Sequence, residues 1–477
     1  MEFKEYIELF NRDDVENVSN IVPNADAYEF LMENAPRFRC PDKEIERAFA
    51  FRSWTVRKHL KNTPDGVMMT EFLPDVPWAG KHNTINAPLF HHLNEYRWFK
   101  NAEILNDYLR WFLEDIGGNA YVYSTPALTA MYEFLLVTGN GELLKNNAES
   151  FEKYFLGWEK KHLTERGLYY SIDGYDAMEF SISGTTPDFK VLKGLRPTLN
   201  AYMYGDALSL ACIFDMAGNA EKSKLYREKA ENIKRLVDET LYDGEFYKAI
   251  HAEDLSSVSL DNIPENMNAR ELIGYTPFAY GMPDDDKVGM FKYLKDESVF
   301  LAPTGFASAD RSHSRYLYDA DHNCLWNGYV WPYATAITLN AIIALLDGYE
   351  QDVITNKDFV DFLHTYAQMH VITENGHTHS FIDEAMHPEK PVWTVRELVG
   401  WDRGKDYNHS TFIDIVVRGV VGIDPRADEL TVKPRINGLW KWFALENITF
   451  KGQSYNVYYD EDGDVLGKGK GVVIEKI

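Results

Sequence analysis

Met216-Ala217-Gly218-Asn219-Ala220-Glu221 joins two long stretches, residues 197–217 and 220–241, and its reading decides the fold. In both flanks apolar residues recur at about i, i+3, i+4 and i+7, the period of one buried helix face. Arg196-Pro197-Thr198 opens the first flank with proline where a helix tolerates it. Gly218-Asn219 then reads as a turn that sends the chain back antiparallel, and Gly139-Asn140 reads the same way. Working outward, the helical period returns at 42–61, 89–112, 125–138, 141–160, 330–346 and 358–369, with Pro41-Asp42 starting the first. Residues 42–422 therefore read as helices separated by aromatic-rich loops. No Ser/Gly tract, charge block or low-complexity linker divides them. No fixed period of about 33 to 47 residues marks a solenoid. From Asp424 the pattern changes to short alternating runs: Glu429-Leu430-Thr431-Val432-Lys433, Trp442-Phe443-Ala444-Leu445, Tyr455-Asn456-Val457-Tyr458-Tyr459 and Gly471-Val472-Val473-Ile474. Asp460-Glu461-Asp462-Gly463 separates two of them, and the whole reads as a small antiparallel β module.

Composition narrows the function. The 477 residues suffice for one large domain or a few ordinary ones, and 45% hydrophobic with 26% charged residues excludes wholesale disorder. No apolar run is long enough to span a membrane. Met1-Glu2-Phe3-Lys4-Glu5 lacks the basic and apolar regions of a signal peptide. Cys40, Cys212 and Cys324 have no CxxC spacing and cannot all pair, so free thiols in the cytoplasm are expected. A formal charge of −25 repels phosphate backbones and anionic lipids, so neither a nucleic-acid nor a membrane partner is expected. It also argues against a highly anionic polysaccharide. Aromatics reach 14%, many beside polar residues, as in Trp78-Ala79-Gly80, Trp326-Asn327-Gly328-Tyr329 and Gly400-Trp401-Asp402-Arg403. Sugars present flat C–H faces and hydroxyls, which aromatic platforms, carboxylates and amides match.

Four segments carry candidate chemistry. In Asp173-Gly174-Tyr175-Asp176-Ala177-Met178-Glu179-Phe180-Ser181, three carboxylates share one loop. A general acid must keep its proton near neutrality; the apolar Met178 and Phe180 favour Glu179, whereas Asp173 and Asp176 read as more solvated. In His377-Thr378-His379-Ser380-Phe381-Ile382-Asp383-Glu384-Ala385-Met386-His387-Pro388, two adjacent carboxylates follow an apolar stretch. The histidines there lack a metal-site pattern, and no metal or cofactor is expected. Asp321-His322-Asn323-Cys324-Leu325-Trp326-Asn327-Gly328-Tyr329-Val330-Trp331-Pro332 and Trp401-Asp402-Arg403-Gly404-Lys405-Asp406-Tyr407-Asn408-His409-Ser410 are polar-aromatic loops that each enter a helix. Four such loops on one helical scaffold suggest convergence on one face. Nucleophile elbows, dinucleotide and Walker loops and zinc ribbons are not found. Cys324 sits in an apolar setting that does not favour a nucleophile.

With these residues in view, the sequence resembles the α/α-toroid glycoside hydrolases related to glycoside hydrolase family 63, the group that includes processing α-glucosidase and mannosylglycerate hydrolase. The resemblance runs from Phe38-Arg39-Cys40-Pro41-Asp42 to the β tail. It implies an (α/α)6 toroid over 41–423, an N-terminal extension 1–40 packed on it, and the β module at 424–477. Asp176-Ala177-Met178-Glu179-Phe180-Ser181 looks like the family's acid loop and places Glu179 on the acid; Ile382-Asp383-Glu384-Ala385-Met386-His387-Pro388 is similar to its base segment and places Glu384 on the base. Trp326-Asn327-Gly328-Tyr329-Val330-Trp331-Pro332 looks like the segment lining the terminal-sugar subsite. Tyr407-Asn408-His409-Ser410-Thr411-Phe412 and Val420-Val421-Gly422-Ile423-Asp424-Pro425-Arg426 also resemble bacterial relatives. The expected function is an inverting, exo-acting hydrolase of short α-linked glycosides. Its partner is an oligosaccharide or small glycoside, and homo-oligomerisation is left open. Beside the two catalytic carboxylates, Trp78, Asp176, Arg196, Trp326, Asn327, Trp331, Asp383, Trp401, Asp402 and His409 are expected to bind substrate.

Rival readings use other residues. A phosphorylase would need only the acid and a phosphate pocket, for which Arg403, Lys405, His409 and Ser410 are candidates. A sugar epimerase would use a histidine pair, His377 and His379. A uronate lyase would want basic residues around an acidic sugar. A carbohydrate-binding protein would bind without turnover.

Overall fold

The computed structural model describes residues 1–399 and 402–477; Gly400 and Trp401 lie outside the described residues. Its body is a ring of paired helices. Six inner segments are buried on nearly every side: Leu89–Tyr96, Ala127–Val137, Pro197–Met216, Leu272–Tyr275 running into Thr276–Ala279, Pro332–Gly348, and Ile413–Ile415 continuing as a π-helix over Val416–Val421. Each inner segment touches the next and the last touches the first, which closes the toroid. Six outer segments alternate with them in sequence: Lys43–Lys58, Asn106–Leu113, Ala148–His162, Ala220–Leu241, the 3-10 segment Asp285–Lys295, and Asn356–Gln368. The outer helix Ala220–Leu241 buries one stripe, Ser223, Tyr226, Ala230, Ile233, Val237 and Leu241. That stripe is what the helical period in the sequence records.

The helix ends obey local rules. Gly218 takes φ +75°, a left-handed conformation that favours glycine, and Asn219 then caps the returning helix by accepting from Lys222 N–H at 3.1 Å. Asp42 caps Lys43–Lys58 through the N–H groups of Glu44 and Ile45. Two expected helices are divided. Residues 89–112 break after Tyr96 because Arg97 and Trp98 turn inward, donating from Nε and Nε1 to Asp414 Oδ1 at 3.0 and 2.9 Å. This contact ties the first inner segment to the last across the closure. Residues 141–160 separate at Asn147 into Gly141–Asn146 and Ala148–His162. The short inner and outer segments between 272 and 295 carried no helical period and were not expected.

A four-stranded antiparallel sheet closes the chain. Arg37–Arg39 pairs with Trp442–Phe450, which pairs with Gln453–Asp460, which pairs with Gly471–Lys476. The N-terminal segment therefore supplies an edge strand to the C-terminal sheet, with Phe38 opposite Leu445. The run Glu429–Lys433, expected as a strand, is not one. Lys433 N–H donates to Gly422 O and Arg435 N–H to Val420 O, so this segment lies against the end of the last inner helix, and Pro434 removes a donor from any ladder. No helix of the described residues is long and apolar enough to cross a membrane.

Candidate active site

A pocket of about 220 Å³ opens among the loops of the ring. Its lining includes Glu71, Trp78, Tyr123, Glu179, Cys324, Trp331, Glu384, Arg403, Tyr407 and His409, drawn from segments scattered along the chain.

The loop that presents Glu179 is held from behind. Asp173 is buried and accepts from the N–H groups of Gly174 and Ser181 and from the Thr185 hydroxyl at 2.9 Å. Asp176 is buried as well, paired with the Arg196 guanidinium and accepting from the Thr198 hydroxyl. Both were expected to be solvated; instead a cation, hydroxyls and N–H groups neutralise them inside the wall. Ala177 and Phe180 adopt φ of 58° and 57°, a costly conformation for residues with a side chain. Those two turns bring Glu179 to the pocket. Burial pushes its carboxyl up to about 7, and the neighbouring Asp173 and Glu71 push the same way.

Glu384 is held differently. Its Oε1 accepts from Arg403 Nε at 3.0 Å and Nη2 at 2.5 Å. Its Oε2 faces the Cys324 thiol at 3.9 Å. Burial raises this carboxyl to about 8; Asp383 and Glu71 add to the rise, while the guanidinium opposes it. The backbone at Gly404 lies so close that a Cβ there would collide with Asp383 Oδ1 and stand 3.2 Å from Glu384 Cγ. Glycine is required by that approach.

The Cys324 loop links the two sides. Trp326 N–H donates to Glu179 O at 3.0 Å, and Trp331 Nε1–H donates to Leu325 O at 2.9 Å. Trp326 stacks on Trp331 with ring centroids 4.3 Å apart. The Cys324 thiol shares the pocket wall with both carboxyls, and burial pushes it far up and keeps it neutral.

The structure brings Glu179, Glu384, Trp78, Trp331 and His409 to the pocket lining. Trp78 stands at the rim, 46% exposed, with Arg403 5.3 Å above its ring. Trp326, Asp176 and Arg196 form the layer behind: Trp326 backs Trp331, and the buried Asp176–Arg196 pair supports the Glu179 loop rather than facing the pocket. Asp383 is also behind the wall, with Oδ1 accepting Glu384 N–H at 2.7 Å. Asn327 is fully buried and donates to Tyr318 O, away from the pocket. Asp402 lines a separate groove of about 660 Å³ with Leu73, Arg396 and Lys405, and pairs with Arg396. Trp401 lies outside the described residues. His377 and His379 stand on a surface hairpin, His377 3.6 Å from Asp13, and neither lines the pocket. Sequence reasoning missed Glu71 and Tyr123. Glu71 follows a short strand, Gly66–Met69, and nothing in Thr70-Glu71-Phe72 distinguishes it from a surface acid.

Residues 81–410 match the model of the mannosylglycerate hydrolase MGH1-like glycoside hydrolase domain. The chain belongs to this glycoside hydrolase family. A solved structure named Sialidase superposes with a TM-score of 0.90 at 30% identity, over 100% of this chain and 43% of that one. A glycoside hydrolase family 78 rhamnosidase of Bacillus sp. GL1 superposes at 0.58 with 14% identity, over 92% and 41%. The family 63 mannosylglycerate hydrolase from Thermus thermophilus, in complex with glucose, superposes at 0.53 with 9% identity, over 77% and 99%. The last two bear on the fold alone. This chain spans less than half the length of the sialidase and rhamnosidase chains. No curated protein matches it.

Proposed function

We propose that this glycoside hydrolase is inverting and exo-acting on short α-linked glycosides, with Glu179 as general acid and Glu384 as general base. The observation that carries the reading is a pair of buried carboxyls on one pocket, Glu179 raised to about 7 with no cation on it among the described residues, Glu384 raised to about 8 and bound by the Arg403 guanidinium. Glu179 gives its proton to the leaving oxygen as the bond breaks. Arg403 occupies Oε1 of Glu384 and leaves Oε2 to take a proton from the attacking water. An inverting site leaves room for its water between two carboxyls, and both carboxyls line this one pocket. A pocket of about 220 Å³ suits one terminal sugar ring, which supports exo action. Trp331 is its platform.

Phosphorolysis is disfavoured by the same geometry. Arg403 is committed to Glu384, Lys405 to Asp14, His409 to Glu71, and Ser410 accepts from Arg52. Each of the three basic groups thus already meets a carboxylate among the described residues. The ring over 41–423 is the proposed catalytic unit, and three unpaired cysteines support a reducing, cytoplasmic setting. The activity of the longer sialidase chain stays with that protein.

The test is an NMR time course with α- and β-linked disaccharides, with and without phosphate. Phosphate-independent release of a sugar of inverted anomeric configuration is expected. A retained anomer, or sugar-1-phosphate formed only with phosphate, contradicts the reading.

A further inference from the structure

One group on the pocket wall has no part in the proton transfers. Glu71 is 3% exposed, and its Oε1 accepts from the Tyr407 hydroxyl at 2.7 Å and pairs with His409 Nδ1 at 2.6 Å. Tyr407 and His409 are buried too, and all three line the pocket. The opposite atoms, Glu71 Oε2 and His409 Nε2, are buried with no partner among the described residues. A buried carboxylate oxygen without a donor is costly, and native proteins rarely leave one so. Nδ1 is engaged by Glu71, so what remains is one carboxylate oxygen and one ring nitrogen, and sugar hydroxyls, which both donate and accept, suit both. The remaining charges on the wall are Glu179, Glu384 and Arg403, and the guanidinium is already bound to Glu384. No free cation is offered to an anionic sugar among the described lining residues. Glu71 also precedes the segment matched by the family model, which begins at residue 81.

We infer that Glu71, oriented by Tyr407 and His409, is a hydroxyl-reading residue that selects an uncharged sugar ring and disfavours an anionic one. The inference rests on the pocket being the glycone site proposed above, and it concerns binding rather than proton transfer. Glu71 Oε2 accepts from one ring hydroxyl and His409 Nε2 pairs with a second nearby. A uronic acid brings its carboxylate beside Glu71 with no free cation among the described lining residues to balance it, and an unbalanced charge in a poorly solvated pocket is costly.

Binding to the full chain is followed by tryptophan fluorescence, since Trp78 and Trp331 line the pocket. The probes are glucose, mannose and galactose, the monodeoxy analogues of the tightest, and its uronic acid. The inference predicts that one deoxy analogue binds the wild type about tenfold more weakly than its parent, as for a hydrogen bond to a charged group. In Glu71→Gln the parent falls by a similar factor and that analogue loses nothing further. The uronic acid binds at least about tenfold more weakly than the parent. Equal loss of the analogue in both proteins, unchanged parent binding in folded Glu71→Gln, uronate binding as tight as the parent, or no binding by any hexose overturns it. Where Glu71→Gln does not fold, Tyr407→Phe takes its place: it removes the hydroxyl that orients Glu71 and must reduce the same deoxy discrimination. Turnover is measured separately. Loss of the acid and base assignments with this discrimination intact removes the proposed mechanism and leaves the subsite standing.

Discussion

Glu179 and Glu384 are the same residue type in the same pocket, yet the two loops treat them in opposite ways. The Glu179 loop spends its cation and hydroxyls behind the wall, on Asp176 and Asp173, and leaves the carboxylate at its tip bare. The Glu384 segment does the reverse: Arg403 reaches the pocket carboxylate itself, while Asp383 behind it receives a backbone N–H. Burial raises both carboxyls, Glu179 to about 7 and Glu384 to about 8, and at Glu384 the guanidinium opposes the rise. The proposed roles therefore use the less populated placing of the proton between the pair, on Glu179 with Glu384 ionised.

The sharpest way to break this contrast is to remove either carboxylate. Glu179→Gln and Glu384→Gln are each expected to lower kcat on a disaccharide by about 10²–10⁴-fold with folding intact by circular dichroism. Gly404→Ala comes next. Its Cβ collides with Asp383 and crowds Glu384, and a displacement of about 1 Å costs on the order of 10²-fold in kcat. The third prediction concerns pH. Glu179 must be protonated and Glu384 ionised, and burial raises them to about 7 and about 8. The kcat/KM profile is therefore expected to peak between about 7 and 8, not in the acidic range of free carboxylates. Arg403 lowers the Glu384 value, so Arg403→Gln raises it; because the proposed base has the higher value of the pair, the alkaline-side break moves to higher pH, the acid-side break stays near 7 and the maximum falls. The smallest effect lies away from the site: Asn219→Ala removes the cap of the Ala220–Leu241 helix and costs about 1 kcal/mol in denaturant unfolding.

The same contrast explains what was legible in the sequence. Pro197–Met216 and Ala220–Leu241 were readable because a long helix writes its buried face at a fixed period and its cap as Gly218-Asn219. The division after Tyr96 was not, because its cause, Asp414, lies far along the chain. At the site, Glu179 stood out through its apolar neighbours, and the resemblance to family 63 marked Glu384. Asp173 and Asp176 were misjudged as solvated, since the groups that satisfy them, Thr185, Arg196 and Thr198, are remote in sequence or carry no acidic-loop signal. Glu71 was invisible for the same reason: Tyr407 and His409 reach it only after the ring closes.

The most direct test of the division of roles uses glycosyl fluorides of the sugar that the enzyme releases. Fluoride leaves without a proton, so an enzyme lacking only its acid keeps activity on it. Glu179→Gln is expected to hydrolyse the fluoride at close to the wild-type rate while failing on the disaccharide, and Glu384→Gln to fail on both. Rescue of Glu384→Gln instead of Glu179→Gln, or failure of both variants on the fluoride, contradicts the account.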